Sequence, residues 1–580
     1  MLALINTLSD KPYWTQKVFK ESIIVKWKQE AMEIDWKKAG IRYGDMNESM
    51  FEYVRCFDRL SSCLMQQLQC VSELQDKAAF YEKHSIMPIL DVSACVLKSD
   101  DAVPLDLKKA LKQAVSPLEN VPDVQKDWHP GSEGRVLDLV HPSLFPLIYN
   151  RSRILPDTTV TREDCLYSIG TGNTIHLLEG SQVDQTFWSA KFQWLPCDVS
   201  FPDGENAKIE SYINNLHPVD HGDLYDVIEK LITKAVPLWN IVMQWHHEGI
   251  SEGARVPCDT VDNTWPEDLP DQPPLDEFLD LDLHRDRDLS REEEEEEEEE
   301  VSHSQIEWER YKAWKHKHQV LVRPEPRAYT SLSYTNEEAA EVLKDRFSFL
   351  EVGQKKIQVI VKLANIHLTP ENPEYRGGSW HVEGQRNEHI AASTLYYYDS
   401  ENVTDSYLSF RTRVDAERLL CDLQYEQGDT AGIEAVFGIE NESPNFQDMG
   451  SILTREDRMI AFANGFQHRV GSFRLADATK PGHRKIVALF LVDPESPIIS
   501  TTNVPPQQRD WWLREISAQQ SKVGNLPVEL VDMIGEHVED FPIGLEEAKE
   551  LRMELMAERG MMDKNVEKEM YDYSFSFCEH

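Results

Sequence analysis

The apolar positions of this chain change period along its length. Phe51, Val54, Phe57, Leu60 and Leu64 recur every three or four residues, the interval that stacks side chains on one face of an α-helix, and predict helix over 46–83. The same spacing predicts helix over 15–38. The cleanest stripe, Leu224, Val227, Ile228, Leu231, Ile232 and Ala235, predicts an amphipathic helix suited to the outside of a sheet. Between these helices, prolines at 88, 104, 117, 122, 130, 142 and 146 break residues 85–154 into short pieces, read as a surface-wrapping connection with nothing catalytic in it. The aromatic run 185–195 and the segment 207–213 read as strands.

Beyond a helix expected at 336–350 the period shortens. Residues 357–368 read as a strand, and 395–398, 408–413, 435–439 and 451–453 as shorter ones. In 485–492 only Lys485 is polar, so that strand is expected to be buried on both faces. Helical spacing returns at 507–519 and 545–559, expected to cap or brace the strands. The class predicted is α+β. Its expected organisation is a mainly helical region 1–180, strands and a helix at 181–256 that join the core, an acidic insertion 257–303, a catalytic core 304–500 and a C-terminal helical extension 501–580.

Charge sharpens that division. The net charge is -42, and between Asp259 and Glu300 twenty acids face only Arg285, Arg287 and Arg291. Like charges at that density bury nothing, so disorder is expected there, as a solvated tether or, alternatively, as a site for a basic partner at Glu292–Glu300. So acidic a body repels nucleic acid, and the basic, aromatic stretch 308–327 is read instead as a helix that meets the chain's own acidic surface. Nine cysteines without a Cys-x-x-Cys pair indicate a reduced, intracellular protein, cytoplasmic or nuclear. Cys56, Cys63 and Cys70, seven apart, read as small apolar residues on one helix face. The amino terminus lacks the pattern of a signal peptide, and no run approaches the roughly 20 apolar residues that span a bilayer.

The candidate chemistry lies in Tyr-Arg-Gly-Gly-Ser-Trp-His-Val-Glu, residues 375–383. On a strand His381 and Glu383 share a face, so one imidazole and one carboxylate stand side by side, able to grip one metal ion. Gly377 and Gly378 before them permit a tight backbone approach. Downstream, Ile-Ala-Phe-Ala-Asn-Gly-Phe-Gln-His-Arg-Val supplies His468, completing two histidines and one carboxylate, a set that leaves three metal positions open. Arg484 opens a strand sixteen residues later, with a planar fork suited to a carboxylate. Short strands with ligands near the first and last of them fit a double-stranded β-helix, or jelly roll. His217, His221, His246 and His247 match no compact ligand spacing and are read as structural or solvated.

The order His-x-Glu, distal His, then Gly-x-Arg leading into an apolar strand resembles the Fe(II)/2-oxoglutarate-dependent dioxygenase superfamily, in which Asp is the commoner carboxylate. The resemblance implies Fe(II) held by His381, Glu383 and His468, and 2-oxoglutarate and dioxygen as co-substrates. Arg484 would then hold the distal carboxylate of the keto acid. Similarity to the prolyl hydroxylase branch adds Tyr397, fourteen residues after Glu383. The activity implied is hydroxylation or demethylation of an unspecified substrate. The whole chain, with Ser-Tyr-Ile-Asn-Asn-Leu-His-Pro at 211–218, Val-Pro-Pro-Gln-Gln at 504–508 and the closing Cys-Glu-His, also resembles a mostly fungal family whose domain has no known function.

Three other readings compete. A zinc hydrolase has the same ligand types, but no His-Glu-x-x-His helix is present, since Asn387 and Ala391 stand where its histidines would fall. A cupin-type isomerase favours His-x-His. A silent barrel scaffold would use the acidic insertion for binding.

Overall fold

The computed structural model describes residues 2–33, 60–91, 95–177, 187–247, 356–413, 446–518 and 540–572, with short stretches at 260–265, 320–322 and 329–331 and scattered single positions. The expectations for 336–350 and 435–439, and most of those for the acidic insertion and the basic stretch 308–327, lie outside the described residues.

The class is α+β, with helices packed on antiparallel sheet. The principal strands are β1 (Met87–Ile89), β2 (Val96–Ser99), β3 (Val136–Val140), β4 (Cys197–Ser200), β5 (Lys208–Ile209), β6 (Lys356–Leu368), β7 (Ile390–Glu401), β8 (Tyr407–Arg413), β9 (Phe446–Leu453), β10 (Met459–Ala463), β11 (Gln467–Val470) and β12 (Gly482–Val492). Nine of them form one sheet in the order β1-β2-β10-β7-β12-β6-β4-β5, with β3 also paired to β6. One edge of β6 is taken by β12; the other is shared, β4 meeting residues 356–359 and β3 residues 363–366. β8, β9 and β11 form a second sheet, β9-β8-β11. Phe410 of β8 meets Phe462 of β10 edge to face at 5.0 Å, so the two sheets bury aromatic surface against each other.

Helices cover the large sheet. Among the helices are α1 (Leu2–Ser9), α2 (Leu60–His84), α3 (Leu105–Glu119), α4 (Gly222–His247), α5 (Arg509–Ala518) and α6 (Leu545–Asp572), and the helix expected over 15–38 is present at Glu21–Met32. The stripe on α4 is buried as its spacing predicts, and it packs across β2, β7 and β10. β12 is buried from Val487 to Val492, as expected of an apolar strand covered on both faces.

Three expectations need correction. Residues 85–154 are more than a wrapping connection: they supply α3 and β1–β3, because the prolines fall mostly between the elements they interrupt. The strands expected at 185–195 and 207–213 shrink to Phe192–Gln193 and Lys208–Ile209, since aromatic content without sustained alternation does not hold a ladder. Finally, His381 and Glu383 do not share a strand. His381 makes one antiparallel bridge, to His468, and the chain then turns away.

Candidate metal centre

That single bridge sets the geometry. The His381 N–H donates to the His468 carbonyl at 3.2 Å, and the His468 N–H returns a bond to the His381 carbonyl at 3.0 Å. Directly paired residues of this kind hold their side chains close together. The two rings lie 4.4 Å apart, and Phe462 of the large sheet meets the His468 ring at 4.8 Å.

Glu383 is placed by the turn that follows. Gly384 has φ +71°, and a Cβ there would stand 2.5 Å from Glu388 Oε2, so the turn requires glycine. Asn464, in the turn between β10 and β11, clamps the loop: its Oδ1 accepts the Glu383 N–H at 2.9 Å, and its Nδ2 donates to the Glu383 carbonyl at 2.8 Å. Upstream, Gly377 has φ +92° and approaches the Val470 carbonyl, whereas Gly378 has open space.

Glu383 Oε1 then lies 3.4 Å from His468 Nε2 and 3.8 Å from His381 Nε2. His381 Nδ1 sits 2.9 Å from the Ser379 carbonyl, which can only accept, so Nδ1 carries a proton and the neutral ring presents its Nε2 lone pair to the carboxylate side. Burial opposes the Glu383 charge, but hydrogen bonds and charge from both histidines outweigh it and hold the acid well below its ordinary range. Burial likewise opposes protonation of His381, yet Glu383 raises it. Burial and then His381 lower His468. Ligand atoms about 2 Å from one ion at right angles stand about 3 Å apart, so a small inward shift would close this set on a metal.

The three residues open on a cavity of about 440 Å³. Its floor is one face of the large sheet: Lys362, Ala364 and Ile366 of β6, Ile486, Ala488 and Phe490 of β12, and Leu395 and Tyr397 of β7. α6 contributes Met556, Arg559, Gly560, Met562 and Asp563 to the wall. That helix is tied down by Arg552, bidentate to Asp127 at 2.6 and 2.9 Å, and by Arg559, which pairs with the buried Glu388.

Tyr397 faces this cavity. It pairs with Ile486 just before a bulge in β7, its hydroxyl is buried without a partner, and burial pushes its pKa up to about 12. Arg484 does not line the cavity. It continues the Ile486–Ala488 row by one step, 2 % exposed, with its guanidinium 4.2 Å from the Phe473 ring centre and 5.9 Å from that of Tyr397. Nη1 donates to Thr454 Oγ1 at 3.1 Å, and Nε has no partner. Asp477 pairs with Lys480 instead, so among the described residues Arg484 has no ion-pair partner. Burial lowers its pKa against the pull of Tyr397 and Asp405.

The structure also reveals a cluster that sequence reading passed over. His129, Asp138 and His141 line the same cavity with ligand-type atoms within 4.8 Å of one another. An acid inside the apolar strand Val-Leu-Asp-Leu-Val, with histidine three residues on, was the available signal. His217 is structural as read: its Nδ1 accepts backbone N–H groups of Val219 and Asp220, and its ring packs on Trp511.

Comparison with known proteins gives limited likeness to solved structures. A bsmA homolog from Methylobium petroleophilum is 10% identical over 30% of this chain and 57% of its own, with a TM-score of 0.16. IDO from Bacillus thuringiensis is 9% identical over 30% and 66%, with the same TM-score. The Fe(II)/(alpha)ketoglutarate-dependent dioxygenase TqaL is 14% identical over 29% and 56%, also at 0.16. Each match spans less than two thirds of the neighbour's chain, and likeness at this level carries no argument about activity. No curated protein matches. No described helix is long and apolar enough to cross a membrane. Residues 1–30 match the N-terminal domain of unknown function DUF4246_N, and residues 66–515 match the protein family of unknown function DUF4246. The chain thus belongs to the DUF4246 family.

Proposed function

We propose that the chain is an Fe(II)- and 2-oxoglutarate-dependent oxygenase whose strands wind as a double-stranded β-helix. The observation that carries this reading is the convergence of His381, Glu383 and His468 on one wall of a cavity whose floor continues to a buried guanidinium that has no counter-ion among the described residues. The donor set fits a divalent metal with open positions: two imidazoles and one carboxylate oxygen, with no cation paired to the carboxylate among the described residues. When bound, iron, the keto acid and dioxygen supply the means to replace a substrate C–H hydrogen by hydroxyl, with succinate and carbon dioxide released.

The chain's own part is to bind, orient and exclude. His381, Glu383 and His468 hold the metal on one face. The backbone bridge and the Asn464 clamp fix that face to both sheets. Arg484 answers the distal carboxylate of 2-oxoglutarate, since a buried guanidinium with an unused Nε is costly until an anion pairs with it. Tyr397, kept protonated, donates its unpartnered hydroxyl at the same end. The apolar floor and α6 keep water from the reacting centre.

The test is succinate release by iron-reconstituted protein supplied with 2-oxoglutarate and dioxygen. Slow, oxygen-dependent succinate formation is expected even without a primary substrate. Folded, iron-loaded protein that forms no succinate and consumes no oxygen would overturn the reading.

A further inference from the structure

The end of the cavity floor opposite Arg484 carries groups that the metal centre does not use. Across the sheet, Asp138 of β3 stands beside Ala364 of β6, which stands beside Ile486 of β12, which stands beside Tyr397 of β7. At about 4.8 Å per strand, this row is about 14 Å long, with polar groups at both ends and apolar side chains between. Lys362 lies two residues along β6 from Ala364, on the same face and facing the cavity.

We propose that the Asp138–Lys362 corner is the primary-substrate subsite, and that it takes a small zwitterion with an apolar side chain, as in a free aliphatic α-amino acid. The proposal rests on the oxygenase reading for the reaction, but not for the binding.

Asp138 lines the cavity, is 5 % exposed, and its buried Oδ1 has no hydrogen-bond partner. A carboxylate only accepts, so what completes it is a donor such as an ammonium. Lys362 is half-buried and has no carboxylate partner among the described residues, so it offers an ammonium to an anion. Asp127 and Arg552 pair bidentately beside them, and the formal charges of these four residues cancel. Asp138 Oδ2 already meets His129 and Arg552, so Oδ1 is the acceptor left over at this corner and the Lys362 ammonium the donor left over; an amine and a carboxylate on one carbon answer both. The side chain of such a ligand would then lie over Ala364, Ile486 and Ala488, toward His381 and His468. α6 walls the same space, which suits a small molecule rather than a folded partner.

A second metal is the competing use of this corner, and the hydrogen bonds oppose it. His129 Nδ1 is committed to Asp138 Oδ2 at 2.8 Å. His141 Nδ1 accepts the Ser143 N–H at 3.2 Å, so the neutral ring carries its proton on Nε2 and has no lone pair left there. Arg552 Nη1 also stands 3.6 Å from Asp138 Oδ2, so with both histidine Nδ1 atoms engaged a metal ion would find only Oδ1 as a ligand, too few for a centre, whereas one ammonium N–H needs a single acceptor.

The experiment is calorimetric titration of L-leucine into oxygen-free, Mn(II)-loaded protein with 2-oxoglutarate present, repeated with N-acetylleucine and with leucinamide. Leucine is expected to bind, and each blocked form at least about tenfold more weakly. Asp138→Asn should weaken leucine at least about tenfold and leave 4-methylpentanoate, the same molecule without its amine, unchanged. Lys362→Gln should weaken both and spare 2-oxoglutarate. If Asp138→Asn does not fold, the comparison of leucine with N-acetylleucine on the wild-type protein decides. Absence of binding by leucine, isoleucine, valine and methionine to protein that does bind 2-oxoglutarate overturns the proposal. So does equal affinity for N-acetylleucine, or a second Mn(II) equivalent that Asp138→Asn removes. Leucine binding without any binding of 2-oxoglutarate would support this subsite and strike the oxygenase reading alone.

Discussion

Two clusters of two histidines and one carboxylate face one cavity, and their surroundings give them different capacities. In the first, Glu383 stands 3.4 and 3.8 Å from two Nε2 atoms and is paired to no arginine or lysine among the described residues. In the second, Asp138 is bonded to His129, approached by Arg552, and neighboured by a histidine whose Nδ1 already serves a backbone N–H. Both hold two imidazoles and one carboxylate, a glutamate in the first and an aspartate in the second. What differs is whether lone pairs are left over on the imidazoles and how much of the carboxylate is already engaged.

The largest expected effect breaks this comparison outright if it fails. His468→Ala should abolish tight binding of one Mn(II) equivalent, while His141→Ala should keep it; metal analysis after desalting reads both. Loss in the second variant and retention in the first would reverse the assignment of the clusters.

A smaller effect is expected at Arg484. Arg484→Ala should retain metal yet bind 2-oxoglutarate at least roughly tenfold more weakly, since a charge-assisted hydrogen bond contributes about 1.5 to 3 kcal/mol. Arg484→Lys should recover only part of that affinity, because an ammonium keeps the charge without the fork. Equal affinity in wild type and Arg484→Ala would mean that another cation, with Lys362 first in line, anchors the keto acid.

The smallest effect is a pH dependence of the metal-free protein. Glu383 is held below its ordinary pKa, so its contribution is present above the unfolded value of about 4.3 and is lost as pH falls through the lower folded value. His381 is raised, so its contribution is complete below about 6.5 and is lost as pH rises through the folded value. The pair should therefore stabilise most between about pH 4 and 6.5. Glu383→Gln should flatten the fall of Tm on either side of that window, and an unaltered profile would show that the pair contributes no pH-dependent stability.

The same contrast explains what the sequence made legible. Periodicity is local, so the α4 stripe and the apolar run of β12 could be read from short windows, whereas Leu-Tyr-Tyr-Tyr at 395–398 does not alternate and the face of Tyr397 could not. His381, Glu383 and His468 were findable because the chemistry of a metal restricts ligand types. Asp138 was not, because it reaches the cavity only through the pairing of β3 with β6, a contact between residues more than two hundred positions apart. Nor does a window show that Gly384 turns the chain after one bridge, which is why a strand was expected at 381–383 and a bend is present. The cavity wall from α6 was foreseen only as a cap, since helical spacing in 545–559 does not say which surface it meets.

The most direct measurement is an oxygen-free titration of Fe(II)-loaded protein with 2-oxoglutarate, followed by the visible absorption of the iron–keto acid chelate. The account predicts a band that saturates at one equivalent in wild type, needs more keto acid in Arg484→Ala and is absent in His468→Ala. Folded, iron-loaded wild-type protein that develops no such band would contradict it.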